Sequence, residues 1–588
     1  MSFATRPTLR GFGGGVSAGH YLATAAGARI LEAGGNAADA ACAAGFALQV
    51  LEPHMNGPAG EVPILIRSGA DGRVEVLSGQ GTAPADASPG AMRERVGELI
   101  PGSGLCAATV PAAFDAWCLL LERFGTRSLE EVSAPARALA ASGFAMDPFL
   151  RNVLRFFESL FRDDWPSTGQ VYLPVRPVGE RQTNPALARA WDEWIDAERR
   201  ARGSRERRIR AARDAFYQGR TAEVIDRFVR TPIRNPGGST EAGFLTAHDL
   251  ASYQGALEDP VTVDYRGCRV YKCGPWTQGP VFLQQLRLLE GFDLRAMGHS
   301  SPDALHAWIE CAKLAFADRE ACYGDPRFAS VPLEELLSDS YTEKRISEID
   351  LGRASLELRP GLGALPAGWP RVKRDPAAPE AEPQAMAALR GRGDTTHLDV
   401  VDRFGNMVSA TPSGAWIQSS PVIPELGFPL GTRAQMFCLD PEHPNVLAPG
   451  KRPRTTLTPS IACLADGRWL AFGTPGGDQQ DQWTLQLFSN LVDHDMRDLQ
   501  QAIDAPTLHS KHMPSSFWPR ESEPGVVAAE SRVADATLAE LERRGHRVQR
   551  SQAWEHGRVL AVRLDPTHGL IEAAASPRSR IAYAQVLA

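Results

Sequence analysis

Residues 393–413, GDTTHLDVVDRFGNMVSATPS, decide how this chain is read. Leu398–Asp402 and the run from Met407 to Ser413 flank the turn sequence Phe404-Gly405-Asn406, and this pattern predicts a β-hairpin. Antiparallel partners keep a constant sum. With Asp402 opposite Asn406 that sum is 808, which sets Thr395 opposite Ser413. A threonine at the start of a strand is what an N-terminal nucleophile needs: once the Asp394–Thr395 bond is cut, its own α-amino group can act as base for its hydroxyl. The Ser413 hydroxyl can orient it. A threonine pair in a strand is, by itself, ordinary β structure, so the reading depends on what surrounds it.

Upstream, residues 355–394 hold Pro360, Pro366, Pro370, Pro376, Pro379 and Pro383 among alanines, glycines and charges, which predicts a flexible segment leading into Thr395. Downstream, the strand-like Trp469–Phe472 runs into Gly473-Thr474-Pro475-Gly476-Gly477-Asp478 and a helical stretch from Gln479 to His494. Strand, glycine turn and helix aim free backbone N–H groups at one point, suited to a phosphate or an oxyanion. Neither a Gly-x-x-x-x-Gly-Lys-Ser/Thr loop nor a Gly-x-Gly-x-x-Gly fingerprint is present, which favours the oxyanion. Between these lies Pro449-Gly450-Lys451-Arg452-Pro453-Arg454-Thr455-Thr456-Leu457-Thr458-Pro459-Ser460, whose hydroxyls enter the strand Ile461–Leu464. They suit either a strand edge or a bound carboxylate.

The whole chain has 588 residues, 63 Lys+Arg against 70 Asp+Glu and 43% hydrophobic residues. A formal net charge of −7 provides no general attraction for nucleic acid or an anionic membrane. No stretch reaches the roughly 18 uninterrupted apolar residues of a membrane span. Met1–Gly15 lacks the apolar core and cleavage site of a secretory leader, so the expectation is a cytoplasmic protein. Nine scattered cysteines without a C-x-x-C pair argue against a disulfide frame or structural zinc, and no cofactor or metal is expected. The closest histidines, His509 and His512, read as surface-loop residues. Glu198–Arg213 holds eight arginines in sixteen residues, but interleaved Glu198 and Glu206 and the lack of an aromatic residue make it a solvated helix face or an exposed connection.

Nearer the start, Ala18–Ala33 and Ala37–Leu51 predict two small-residue helices separated by Gly34-Gly35 and capped by Asn36. Val62–Ser68 and Val74–Leu77 predict a hairpin. Pro111–Leu139, Pro185–Arg230 and Ser301–Tyr323 have helical periodicity, so the middle of the chain is expected to be a helical mass.

The motifs, in this order, resemble the γ-glutamyltranspeptidase family of N-terminal nucleophile hydrolases. The likeness covers nearly the whole chain: Glu32-Ala33-Gly34-Gly35-Asn36-Ala37-Ala38-Asp39-Ala40-Ala41, Glu52-Pro53-His54-Met55, Phe216-Tyr217-Gln218-Gly219, Thr246-Ala247-His248-Asp249-Leu250, Tyr265-Arg266-Gly267, Ala317-Asp318-Arg319 and Gly324-Asp325-Pro326. It continues through Thr395-Thr396-His397, Pro449-Gly450-Lys451-Arg452-Pro453 and Pro475-Gly476-Gly477. The resemblance implies an α+β fold, an αββα sandwich, and a proenzyme that cleaves itself after Asp394 into fragments 1–394 and 395–588. These two fragments would be each other's partners in a heterodimer, and self-association of that unit is left open.

Carried over by position, Thr395 matches the nucleophile, Ser413 the threonine that holds it, and Gly476 and Gly477 the oxyanion glycines. Thr455 and Thr456 stand where the family has two serines that bind the substrate α-carboxylate. Other positions depart: Gln80 replaces an arginine that clamps that carboxylate, Ala415 replaces an asparagine, and Met436 aligns with an aspartate that pairs the substrate ammonium. Losing a bidentate arginine and a charge partner removes the groups that read an α-amino acid. Arg433 is an additional cation that could receive a carboxylate from another direction or sit in a surface or interdomain ion pair. Family branches that hydrolyse cephalosporin side chains or oxamate show that lost γ-glutamyl recognition need not mean lost activity. The resulting expectation is an autoprocessed N-terminal-threonine amidohydrolase acting on a small amide that is not γ-glutamyl. Its rivals are a glutathione hydrolase or γ-glutamyl transferase with a rebuilt pocket, and a self-cleaving scaffold without catalysis.

Overall fold

The computed structural model describes residues 4–235, 238–366, 368–373 and 395–588. Two seven-stranded sheets form its centre. Their strands are β1 (Leu9–Gly11), β2 (Gly14–Ala18), β3 (Ile64–Arg67), β4 (Val74–Leu77), β5 (Leu257–Glu258), β6 (Val261–Tyr265), β7 (Cys268–Lys272), β8 (Leu398–Asp402), β9 (Met407–Ala410), β10 (Ser460–Cys463), β11 (Trp469–Gly473), β12 (Leu560–Asp565), β13 (Leu570–Ala575) and β14 (Tyr583–Leu587). One sheet runs β1-β13-β12-β11-β10-β7-β6 and the other β14-β2-β8-β9-β3-β4-β5. All neighbouring strands in both are antiparallel.

Alternation along the strands sorts the core into layers. Val401, Met407 and Leu65 of one sheet meet Ile461, Ala471, Val562 and Ile571 of the other in the space between them. Their neighbours Val400, Val408, Ile64 and Ile66 face outward into a helical layer. On the opposite side Val270, Ala462, Leu470 and Phe472 pack under helices Gly279–Leu289, Pro302–Cys322 and Gln480–Val492. The result is the expected αββα sandwich.

Helix α2 (Ala37–Leu51) covers the β8–β9 hairpin, and α1 (Tyr21–Glu32) packs beside it on β2 and β14. Every residue of α2 is buried, and its alanines allow this close approach to the sheet. The start of α2 is set locally and by the hairpin. Asn36 and Asp39 form a capping box, and the Asp402 carboxylate accepts the Ala37 N–H at 2.9 Å. Farther out, helices Ala113–Phe124, Leu129–Ser142, Pro185–Arg200 and Arg205–Tyr217 bury Trp117, Trp191, Trp194 and Phe216, which is the anticipated helical mass.

Three local expectations change. The first helix begins at Tyr21, because Gly14–Ala18 is instead the strand β2, central to its sheet between β14 and β8. His509 and His512 are buried, His509 on a short strand Leu508–Ser510 and against Trp483 and His556. In the arginine run Arg199, Arg200 and Arg202 are exposed, whereas Glu198 is buried and accepts the Leu129 and Glu130 N–H groups at 2.8 Å each. Its carboxylate caps a neighbouring helix, a role invisible in a charge count. Asp394 and most of the Pro-rich segment lie outside the described residues. Among the described residues no helix is long and apolar enough to cross a membrane.

Candidate active site

The β8–β9 register follows the sum anticipated from the turn: Leu398 pairs with Ala410 and Val401 with Met407. It continues past the strand ends to an isolated bridge between Thr395 and Ser413, whose hydroxyl oxygens lie 3.0 Å apart. Both are buried. Strand alternation puts Thr395, His397, Asp399 and Val401 on the face that looks between the sheets. That face is apolar at Val401 and Met407 and polar toward Thr395 and Ser413, so the site sits at one end of the sandwich. His397 is not a base for Thr395. Its ring nitrogens are engaged by Thr411 and Asp399, each at 3.0 Å, and burial raises the Asp399 carboxyl.

Arg433 begins a short 3₁₀ turn, Arg433–Met436, and is buried. Its Nη2 donates to Ser413 Oγ at 2.8 Å, Nε and Nη2 reach the Glu61 carboxylate, and Nη1 lies 3.7 Å from Met436 Sδ. Trp416 and Phe517 face the guanidinium at 4.9 and 5.9 Å. The expectation that Arg433 receives a substrate carboxylate is therefore corrected. All three nitrogens have partners inside the protein, because a buried guanidinium demands a counter-charge and Glu61 provides it.

The glycine turn after β11 has a backbone that only glycine adopts without strain. Gly476 and Gly477 have φ of +135° and +56°, and a Cβ on them would lie 2.2 Å from Trp483 and 2.8 Å from Phe517. Only glycine fits. Among the described residues no acceptor lies on either glycine N–H. The turn is anchored through Asp478, which accepts from Arg319 Nη1 at 2.6 Å and from the Ser516 N–H and Oγ at 2.8 and 2.6 Å. Behind it, burial alone would raise Glu320, but Arg454 and Arg319 pull its carboxyl down to about 2. The fully buried pair Lys272–Asp481, at 2.9 Å, holds the first turn of the following helix, and burial, offset by Lys272, lifts Asp481 to about 6. Phe517 borders the Gly477 position and faces Arg433, so one ring links the glycine turn to the Arg433–Ser413 contact.

The remaining predicted residues are buried as well. Thr455 donates its N–H to Trp276 O, and its Oγ1 accepts weakly from the Leu457 N–H at 3.5 Å. Thr456 Oγ1 and Gln80 Oε1 are buried with no hydrogen-bond partner among the described residues. None of the three bonds to Thr395, Ser413 or Arg433 among the described residues. Thr458 and Ser460, from the same hydroxyl row, serve the Lys272–Asp481 pair. Ala415 occupies the left-handed region at φ +55° and is buried. Asp394 lies outside the described residues.

Glu61 was missed. It ends the small-residue stretch Gly57-Pro58-Ala59-Gly60 and leads into the apolar Val62–Ile66, and a lone carboxylate in such company signals a buried cation somewhere in the chain. A second cluster, His306, Glu310 and His546, has ligand atoms within 4.8 Å of one another. The Lys313 ammonium lies 2.6 Å from Glu310, and His306 Nδ1 lies 2.8 Å from His546 Nε2, so these groups pair within the protein.

A model of the family described as Gamma-glutamyltranspeptidase matches residues 23–586. The Acylase ACY 1 proenzyme of Pseudomonas sp. (strain SE83) is 33% identical over 584 residues, covering 95% of this chain and 91% of its own. The Glutathione hydrolase-like YwrD proenzyme of Bacillus subtilis (strain 168) is 31% identical over 567 residues, covering 95% and 96%. The solved structure of LmbA2991HD superposes with a TM-score of 0.93 at 46% identity, covering 100% of both chains.

Proposed function

Since the chain belongs to the γ-glutamyltranspeptidase family of enzymes, we propose that it is a proenzyme which cuts itself between Asp394 and Thr395 and then hydrolyses a small amide whose acyl part is not γ-glutamyl. The observation that carries the reading is the 3.0 Å approach of the Thr395 and Ser413 hydroxyls, together with a glycine turn that reaches Arg433 through Phe517 and whose two N–H groups are uncommitted among the described residues. In processing, Thr395 Oγ1 attacks the carbonyl carbon of Asp394, the bond to its own nitrogen breaks, and water hydrolyses the resulting ester. Fragments 1–394 and 395–588 follow, with a free α-amino group on Thr395. In turnover the same oxygen attacks the substrate amide, and the α-amino group takes the hydroxyl proton and passes it to the leaving amine. The Gly476 and Gly477 N–H groups receive the developing oxyanion. Water then releases the acyl group as a carboxylic acid.

The pocket supports an acyl group without α-amino-acid charges. Gln80, Ala415 and Met436 carry none, Arg433 is neutralised by Glu61, and Gln80 Oε1 and Thr456 Oγ1 are neutral groups free to bind a polar substrate atom. A γ-glutamyl donor would bury an ammonium without a partner, at a cost of about several kcal/mol. The acylase name of one relative supports such a substrate class, and the name of the other keeps glutathione hydrolysis as the alternative the experiment must exclude. A purely scaffolding role has no use for an oxyanion turn. All nine cysteines are free, which suits a reducing compartment and supports a cytoplasmic location.

The test has two parts. The wild-type chain should give two fragments under denaturing conditions, the second beginning at Thr395, and Thr395→Ala should remain one chain. Among short amides, turnover should be faster on an acyl group lacking an α-amino group than on a γ-glutamyl anilide. A cleaved Thr395→Ala chain would falsify the nucleophile, and efficient γ-glutamyl transfer would overturn the specificity.

A further inference from the structure

Resting on that reading of Thr395, we propose that Glu61 and Arg433 are a positioning pair that holds the Ser413 hydroxyl, and through it Thr395 Oγ1, in the attacking arrangement. Glu61 and Ser413 are direct cross-strand partners: each backbone N–H donates to the other's carbonyl at 2.9 Å. Ser413 is in turn bridged to Thr395. Glu61, Ser413 and Thr395 thus stand in a row across three strands on one face of the sheet. Arg433 closes over this row, with Glu61 on one side and the Ser413 hydroxyl at 2.8 Å on the other. The approach of the carboxylate is built in, since a Cβ on Gly414 would lie 2.6–2.8 Å from the Glu61 carboxyl atoms.

The direction of the hydrogen bonds follows from donor chemistry. A guanidinium only donates, so Ser413 Oγ accepts from Arg433, and its own proton is able to point at Thr395 Oγ1. A Thr395 oxygen that accepts from Ser413 keeps its own proton for the base, and the charged donor behind Ser413 favours negative charge developing on that oxygen. Glu61 keeps the assembly neutral, so the pair adds no net charge to the acyl pocket. Self-cleavage and substrate turnover use the same oxygen, and both should depend on the pair, whatever the substrate.

The decisive variant is the double substitution Glu61→Met with Arg433→Met, which removes both charges together and keeps the volume. It should melt within a few degrees of the wild type while self-cleavage and kcat fall about 100-fold and KM on the best amide stays within about threefold. Arg433→Lys, which retains a charged donor, should recover about tenfold of that loss. Normal cleavage and kcat in a folded double variant would reduce the pair to a structural ion pair and sink the proposal. So would an effect confined to KM for carboxylate-bearing amides, which would return Arg433 to substrate binding. Should the double variant fail to fold, Glu61→Gln is read instead: kcat must fall about tenfold with KM held, or the pair is overturned. Failure of the threonine reading is distinguishable, because it shows as an uncut wild-type chain or a cut Thr395→Ala chain whatever these variants do.

Discussion

Ser413 carries more than its size suggests. It accepts from Arg433, meets Thr395 at 3.0 Å and is paired through its backbone to Glu61, all inside the protein. Ser413→Ala removes the hydroxyl and leaves the backbone ladder in place. The expected outcome is a folded chain that processes and turns over at least fivefold more slowly, from a hydrogen bond of about 1 kcal/mol. The rate of appearance of the fragment starting at Thr395 measures it, and unchanged rates would remove Ser413 from the mechanism. At this scale the sequence was informative wherever a residue's neighbours lie close along the chain. The 808 register needed only a turn and period-two pairing, and the glycines at 476 and 477 follow from the strand–turn–helix pattern. Glu61 was not legible in this way, because its partner Arg433 is 372 positions away.

Helix α2 shows how an element conditions, from behind, the strand that Thr395 leads into. It packs on β8 and β9 and ends at Glu52, a buried C-cap whose carboxylate closely approaches the Gly19 position, as does the Thr396 hydroxyl. Burial lifts the Glu52 carboxyl to about 7, with Thr396 and Arg558 opposing and Asp147 adding. The sign is that of a group holding its proton more tightly folded than unfolded. Its stability contribution is complete below the unfolded value of 4.5 and is lost as pH rises through about 7. The loss is on the order of 3 kcal/mol. Unfolding of the uncut Thr395→Ala chain should therefore become easier across that window, and adding Glu52→Gln should flatten the dependence. Parallel pH profiles for the two would show that Glu52 is not the titrating group.

At the scale of the molecule, the two fragments that a cut before Thr395 would give are interleaved. In one sheet β2, from the first fragment, lies between β14 and β8 of the second, and β9 pairs with β3. In the other, β1 and β7 of the first fragment flank the four strands β13, β12, β11 and β10 of the second. Cutting before Thr395 breaks a bond without separating a surface. After complete processing, size-exclusion under native conditions should give one species containing both fragments, and only denaturant should part them. Elution of a free 395–588 fragment from folded protein would contradict this arrangement.

The sequence by itself determined the hairpin and its register, the N-cap of α2, the glycine turn and, through the resemblance of its motifs, the layered architecture. Each depends on short-range geometry: period-two alternation, a turn of a few residues, a capping side chain three positions from its target. Only the tertiary structure decided that Arg433 answers Glu61 and Ser413, that Glu198 caps a distant helix and that His509 and His512 are buried. Charges and polar side chains in the interior find partners by proximity in space, and nothing in the local pattern of either partner encodes which one will be there when the sheets close.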